Sequence, residues 1–197
     1  GDAGTERTAR AAADYFFRNK DRRACFKHFT NLVPMERSGS IRKSMDMAEQ
    51  VLRRGRSMVV FPEGTRSMSG EMADFLPSLG YLALRAGVGI LPAHVKGAYE
   101  ALPQGAAVPR ARDLGAAFGP FLTADWLAAL TKDLPSQEAW RLVSAFTQRV
   151  VENLRDGVTT ALDVEAVRAA WDGEAQKLGA VTSHPKPASR RKLRSVS

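Results

Sequence analysis

The residues best suited to chemistry in this chain form a run of seven, residues 61–67, that follows a short apolar segment. Pro62 has no backbone N–H and therefore ends a strand. Gly64 allows a backbone conformation and a close approach that a Cβ would forbid. The next three residues carry hydrogen-bond donors: Thr65, Arg66 and Ser67. A tight turn that bears two hydroxyls and a guanidinium is suited to binding a phosphate group.

Arg66 is the strongest candidate phosphate ligand of this run. Its planar guanidinium can bond two phosphate oxygens at once, whereas a lysine acts as a point charge. Glu63 is expected to hold either the loop or the guanidinium in position. A solvated surface turn is the alternative for a strand followed by Pro-x-Gly, and turn statistics alone favour it. The choice between the two interpretations depends on how specific the whole heptapeptide is.

The heptapeptide F-P-E-G-T-R-S at a strand end resembles a signature block of the glycerolipid acyltransferases typified by lysophosphatidate (1-acylglycerol-3-phosphate) acyltransferase. Residues 33–37 (V-P-M-E-R) resemble the second block of that family, a strand that ends in an acidic residue and an arginine. Residues 90–95 (I-L-P-A-H-V), with Gly97, resemble its fourth block. The blocks occur in the order of the family, over a region from about Ala11 to Leu122. This order favours the phosphate-binding interpretation.

The resemblance implies an enzyme that transfers a fatty acyl group from acyl-CoA or acyl-ACP to a hydroxyl of a lysophosphatidate-like glycerol phosphate acceptor in phospholipid synthesis. By the same resemblance, Arg37 and Arg66 hold the acceptor phosphate, and Pro92 borders the acyl channel. The remaining substrate-binding residues shape the phosphate site: Glu63, Gly64, Thr65 and Ser67. No cofactor is implied, since the acyl carrier is a substrate. The sequence also shows no metal-ligand spacing.

The chain departs from the family at its catalytic block, H-x-x-x-x-D, in which a histidine takes the proton of the acceptor hydroxyl and an aspartate orients it. None of the three histidines is followed by an aspartate at the fifth position: Val33 follows His28, Tyr99 follows His94 and Ser189 follows His184. We expect the chain to begin after this block, so that no catalytic residue lies within it. A lysine usual after the third block is also missing, and Glu36 replaces the usual aspartate.

The elements that position these residues can be predicted from hydrophobic spacing. Residues 8–29 are predicted to be helical, as are residues 41–52, with Gly55 as the stop, and residues 79–85, with Gly87 as the stop. Residues 31–35 contain Pro34 and predict an edge strand. Three further apolar runs predict buried strands: residues 57–61, 89–95 and 116–122. Strands and helices alternate, which predicts an α/β fold, a layered sheet with mixed or partly parallel strands flanked by helices.

The organisation along the chain predicts three parts. Residues 1–123 form the incomplete acyltransferase domain, and residues 124–181 form a helical C-terminal extension. The extension is predicted to contain helices at residues 125–130, 137–156 and 164–178. Residues 182–197 contain two prolines, four serines and five basic groups without an acidic one, and are predicted to be a disordered basic tail.

Composition and charge indicate where such a protein would act. The 197 residues are 44% hydrophobic and 25% charged, which is ordinary for a globular domain, and no apolar run is long enough to span a bilayer. The single cysteine, Cys25, excludes an internal disulfide and fits a reducing compartment. Net charge is +6 over residues 1–60, −3 over residues 61–181 and +5 in the tail. These basic ends favour peripheral attachment to an anionic membrane surface.

Residues 81–105 resemble bacterial members of the family, so we expect a bacterial protein on the cytoplasmic face of a membrane. Two other functions stay open. The first is a non-catalytic module that binds lipid surfaces through the same phosphate site. The second is a basic nucleic-acid-binding protein, suggested only by an isoelectric point near 10.1. The sequence shows no recognition-helix, aromatic-strand or zinc-finger pattern, which makes nucleic acid the less favoured partner.

Overall fold

A computed structural model describes residues 7–12, 32–35, 41–65, 67, 69–103 and 108–172 of the chain. In chain order its elements are β1 (Arg7–Ala12), β2 (Leu32–Met35), α1 (Ile41–Arg53), β3 (Ser57–Val59), α2 (Ser78–Ala86), β4 (Ala93–Lys96), α3 (Ala98–Ala101), β5 (Gly115–Phe118), α4 (Ala124–Leu130) and α5 (Ser136–Arg155). Residues 164–172 are also helical. The tail predicted for residues 182–197 lies outside the described residues.

The strands described form two sheets rather than a single layered one. The first contains three parallel strands in the order β2-β1-β3, and the second is an antiparallel pair of β4 and β5. The predicted mixture of helices and partly parallel strands is therefore confirmed. The edge position predicted for β2 is confirmed among the described strands, where β2 pairs only with β1. At an edge, Pro34 can omit its hydrogen bond without breaking the sheet.

The helix predicted over residues 8–29 is wrong at its beginning, because residues 8–12 belong to β1. This strand is the central one of the parallel sheet, and its Ala9 pairs with Leu32 on one side and Val59 on the other. Alanine and arginine are good helix formers, but helix propensity amounts to less than about 1 kcal/mol per residue, and hydrogen bonding to strands on both sides overrides it. The rest of the predicted helix, residues 13–29, lies outside the described residues.

The prediction that the later apolar strands are buried is wrong as well. In the first sheet β3 lies at an edge, and Val59 is 48% exposed. In the antiparallel pair, Val95 is 52% exposed and Phe118 is 65% exposed. Their strands are also shorter than predicted, and Leu122 joins the pair through an isolated bridge to Ile90. An apolar run shows that a strand is favoured, but not that another layer covers it.

Helices α1, α2 and α5 connect the two sheets. Helix α1 packs on β2 and β3, α2 packs between α1 and α5, and α5 packs on β4 and β5. The main buried cluster joins residues from both sides of the predicted domain boundary at residue 123: Ala83, Leu122, Leu127, Val143, Phe146 and Val150. The helical end is thus packed into the same core as α2.

The predicted helix boundaries near the site hold. Helix α1 ends at Arg53, and Gly55 follows with a φ of +75°. Helix α2 ends at Ala86, and Gly87 caps it in the left-handed conformation. No helix among the residues described is long and apolar enough to cross a membrane.

A nearly buried carboxylate joins α1 to α2. Glu49 is 7% exposed and accepts hydrogen bonds from Arg53 Nε at 2.8 Å and from Arg85 Nε at 3.3 Å. Arg53 also donates to the backbone oxygen of Arg85 at the end of α2. The hydrogen bond from Arg53 lowers the pKa of Glu49, against the opposing effect of desolvation, and Arg85 lowers the pKa further.

Helices α2 and α5 approach each other most closely at Gly80. A Cβ added at Gly80 would lie 2.2 Å from the backbone oxygen of Trp140. Both groups belong to helix backbones, so neither can move aside without moving its helix. At the next residue of α2, the ring of Tyr81 meets the ring of the same Trp140 edge to face, with centroids 5.0 Å apart. Glycine is therefore required at position 80 for this packing.

We expect Glu49→Gln to lower the free energy of unfolding at neutral pH, and this difference from the wild type to disappear in acid. Because the pKa of Glu49 is lowered in the folded state, its charged form stabilises the fold fully above the unfolded value of about 4.3. That contribution is lost as the pH falls through the lowered folded-state value. Urea unfolding over a pH series measures it, with the exposed Asp46→Asn on the same helix as control. A difference that stays constant into strong acid would contradict the assignment.

We expect Gly80→Ala to destabilise the protein by about 2 kcal/mol or more, as overpacking in a core does. Gly115→Ala is the matched control, because the nearest atom to its added Cβ, Lys96 Cβ, lies 3.9 Å away. Urea unfolding of both variants measures the difference. Equal stability of the two variants would show that α2 and α5 can separate at no cost.

Candidate functional site

The signature loop, residues 61–67, follows β3 and is described except for Arg66. Arg37, the other predicted phosphate ligand, also lies outside the described residues. The prediction that the two guanidiniums meet one phosphate therefore stays a prediction. The structure does show how the backbone and the other side chains of the loop are held.

The loop begins with a tight turn. The backbone nitrogen of Gly64 donates to the oxygen of Phe61 at 3.2 Å, which places Pro62 at the second position of a four-residue turn. Proline favours that position because its φ is already fixed near the required value. Gly64 has a φ of +73°, and an added Cβ would lie 2.7 Å from Leu76 Cδ1. The conformational need for glycine predicted from the sequence is confirmed.

A second segment, residues 73–76, holds the loop from one side. The nitrogen of Leu76 donates to the oxygen of Pro62 at 2.9 Å, and the nitrogen of Ala73 donates to Oε2 of Glu63 at 2.8 Å. Of the two roles predicted for Glu63, holding the loop is the one that these contacts show. We call residues 73–76 the support segment.

The hydroxyls of the loop lie at its outer end. Thr65 is exposed and Ser67 is half-buried. Ser67 Oγ accepts from the nitrogen of Gly70 at 2.8 Å, which closes a local turn. A hydroxyl that accepts one bond still has a hydrogen to donate, so Ser67 keeps the capacity to bond a phosphate oxygen.

Helix α5 in turn holds the support segment, a contribution that sequence reasoning missed. The nitrogen of Phe75 donates to Oε1 of Gln148 at 2.8 Å, and Oγ of Ser144 donates to the oxygen of Leu76 at 3.1 Å. The available signal was a pair of polar residues, four apart, on the mainly apolar face of a long helix.

Pro92 is buried just before β4, and its oxygen accepts from the nitrogen of Gly119 at 2.9 Å. Its neighbour Leu91 is 54% exposed. The predicted role of Pro92 beside an acyl channel stays a prediction. Within the described ranges, no three His, Cys, Asp or Glu residues are grouped so that they could hold a metal ion.

Comparison with known proteins gives matches of three kinds: to a family model, to a protein sequence and to a solved structure. Residues 5–96 match the family model described as acyltransferase. A 1-acyl-sn-glycerol-3-phosphate acyltransferase of Cocos nucifera is 29% identical over 90 residues, which are 45% of this chain and 29% of that protein. The crystal structure of the 1-acyl-sn-glycerophosphate (LPA) acyltransferase PlsC from Thermotoga maritima matches with a TM-score of 0.53 at 24% identity.

The structural match covers 77% of this chain and 55% of the Thermotoga protein. Residues 1–123 make up less than 77% of the chain, so the common fold extends beyond them into the helical end. The chain thus spans less than a third of the coconut protein and about half of the Thermotoga protein.

The family-model match ends at the strand that follows Pro92 and includes the complete signature loop. The coconut protein is related to this chain in sequence, and the Thermotoga protein shares its fold. Residues 5–96 are thus similar to the acyltransferase family, and the chain is similar in sequence to a 1-acyl-sn-glycerol-3-phosphate acyltransferase.

Proposed function

We propose that this chain is part of a glycerolipid acyltransferase that moves a fatty acyl group from an acyl thioester to a hydroxyl of a lysophosphatidate-like acceptor. The observation that carries the proposal is the signature loop, a tight turn that is hydrogen-bonded to the support segment at Pro62 and Glu63 while Thr65 is exposed. A loop of this kind can receive a phosphate with little reorganisation, and reduced reorganisation is how positioning accelerates a reaction.

The proposed reaction transfers one acyl group from the sulfur of the thioester to the hydroxyl oxygen of the acceptor. The acceptor hydroxyl oxygen attacks the thioester carbonyl carbon, so a C–O ester bond forms and the C–S bond breaks. The hydroxyl proton leaves with a base and the sulfur leaves as a thiolate, which becomes a free thiol when protonated. In this reaction the chain would bind the acceptor, since no histidine in it has the aspartate partner of the family's catalytic block.

Within the proposal, Arg37 and Arg66 bind the acceptor phosphate. Glu63 and Gly64 keep the loop backbone in shape, as their contacts with the support segment indicate. Thr65 and Ser67 add hydroxyl donors, and Pro92 with its strand borders the acyl chain. The acyl donor is acyl-CoA or acyl-ACP, and no cofactor takes part.

We further propose that the protein attaches to the cytoplasmic face of a bacterial membrane at its surface. Two features support attachment. The basic ends of the chain would be attracted to anionic headgroups. Several large apolar side chains are exposed, including Phe61 at 62% in the signature loop and Phe121 at 56% after β5. The attraction should weaken with added salt.

We expect Arg66→Ala, made in a protein that contains this chain, to lower the rate of acyl transfer to lysophosphatidate by about a hundredfold. Arg66→Lys should recover part of the loss, because a lysine keeps the charge but cannot bond two oxygens at once. Arg141→Ala is the matched control, since Arg141 is exposed on α5. Steady-state kinetics with acyl-CoA and lysophosphatidate measure the rates.

Normal turnover by Arg66→Ala would contradict the assignment of Arg66. The experiment also separates the enzyme from a non-catalytic lipid-binding module. A module would bind lysophosphatidate in an Arg66-dependent way but would transfer no acyl group even in the wild type.

A further inference from the structure

Helix α5 carries three polar side chains in the middle of its buried face, and two of them, Ser144 and Gln148, bond to other parts of the chain. Ser144 is 1% exposed, and Gln148 lies one turn later and is half-buried. Their neighbours on the same helix are apolar and buried, including Val143 and Val150. A polar group in such a place costs stability unless it is hydrogen-bonded, so its partners indicate what it is for.

Ser144 joins three parts of the chain through one hydroxyl. Its Oγ accepts from the nitrogen of Gly80 at 3.1 Å and donates to the oxygen of Leu76 at 3.1 Å. Gly80 is the third residue of α2, whose own N-cap, Pro77, makes no side-chain cap. Ser144 therefore does from another helix what a serine N-cap does from within one. The start of α2 and the end of the support segment are held at the same point.

Gln148 fixes the support segment one residue earlier. Its Oε1 accepts from the nitrogen of Phe75 at 2.8 Å, and its Nε2 donates to Oε1 of Glu152 at 3.0 Å. Both ends of the amide are thus engaged, which sets its orientation. A hydrocarbon side chain of the same length would leave the nitrogen of Phe75 without this partner.

The support segment passes this restraint to the signature loop. Hydrogen bonds from the nitrogens of Leu76 and Ala73 hold the loop, and they end on Pro62 and Glu63. Leu76 is the central link, because its oxygen bonds to α5 while its nitrogen bonds to the loop. Leu76 thus links helix α5 to the signature loop through its own backbone.

We propose that Ser144 and Gln148 are positioning residues for the signature loop, and that the helical end therefore determines how well residues 61–67 receive the acceptor phosphate. The second half of this inference rests on the proposed function. The fold shared with the Thermotoga acyltransferase supports it, since that similarity extends past residue 123.

The test compares three variants that each remove one polar group from α5. Ser144→Ala and Gln148→Met remove the two contacts with the support segment. Thr147→Val is the matched control: Thr147 is 3% exposed and its Oγ1 bonds only to the oxygen of Val143, within its own helix, in the hydrogen bonds described. Urea unfolding ranks the three stabilities, so that a general loss of stability can be separated from a local effect.

The first measurement is amide hydrogen exchange by NMR at Ala73 and Leu76, whose nitrogens bond to the loop and not to α5. We expect exchange at both to be roughly three- to tenfold faster in Ser144→Ala and Gln148→Met than in Thr147→Val, the range that one lost hydrogen bond gives. Equal exchange in all three variants would overturn the positioning role.

The second measurement is the kinetics of acyl transfer by the same variants, made in a protein that contains this chain. We expect the KM for lysophosphatidate to rise by a similar factor in Ser144→Ala and Gln148→Met, with a smaller change in kcat, and neither to change in Thr147→Val. An unchanged KM together with faster exchange would overturn the link between α5 and phosphate binding. A wild type that neither binds nor acylates lysophosphatidate would refute the proposed function, and the exchange measurement would then decide the positioning role by itself.

Discussion

The close packing of α5 on the start of α2 is the contact on which the rest of the described structure depends. Gly80 brings the two helix backbones together, and at that point Ser144 bonds both to α2 and to the segment that precedes it. Helix α2 then carries the packing to α1 through Leu82, while α5 carries it to the antiparallel strands. A larger residue at position 80 would separate these layers and release the support segment of the loop.

This arrangement explains how a short exposed loop can be a binding site. A loop that has to order itself around a ligand loses affinity to conformational entropy. Here the backbone turn is closed by Gly64, tied to the support segment at Pro62 and Glu63, and backed by α5. In the proposed function, the side chains of Thr65 and Ser67 would need only to reorient to meet a phosphate. The loop backbone is thus ordered when the protein folds, so little conformational entropy is left to lose when a substrate binds.

The sequence predicted what depends on short-range chemistry. The turn at Pro62 and Gly64, the stops at Gly55 and Gly87 and the edge strand at Pro34 all follow from restricted or permissive backbones, and all were found. The sequence did not predict which distant segments of the chain pair with each other. Residues 8–12 became a central strand against their helix preference, and Val59 stayed exposed despite its apolar strand. Ser144 and Gln148 could not be assigned either, because their partners are more than sixty residues away.

The central claim is that the signature loop recognises the phosphate of a lipid acceptor. NMR titration of the backbone amides of Gly64 and Thr65 tests it most directly, with lysophosphatidate as ligand and the monoacylglycerol that lacks only the phosphate as control. The account predicts saturable shifts of both amides with lysophosphatidate and none with monoacylglycerol. Equal responses to the two lipids, or no response to either, would contradict it.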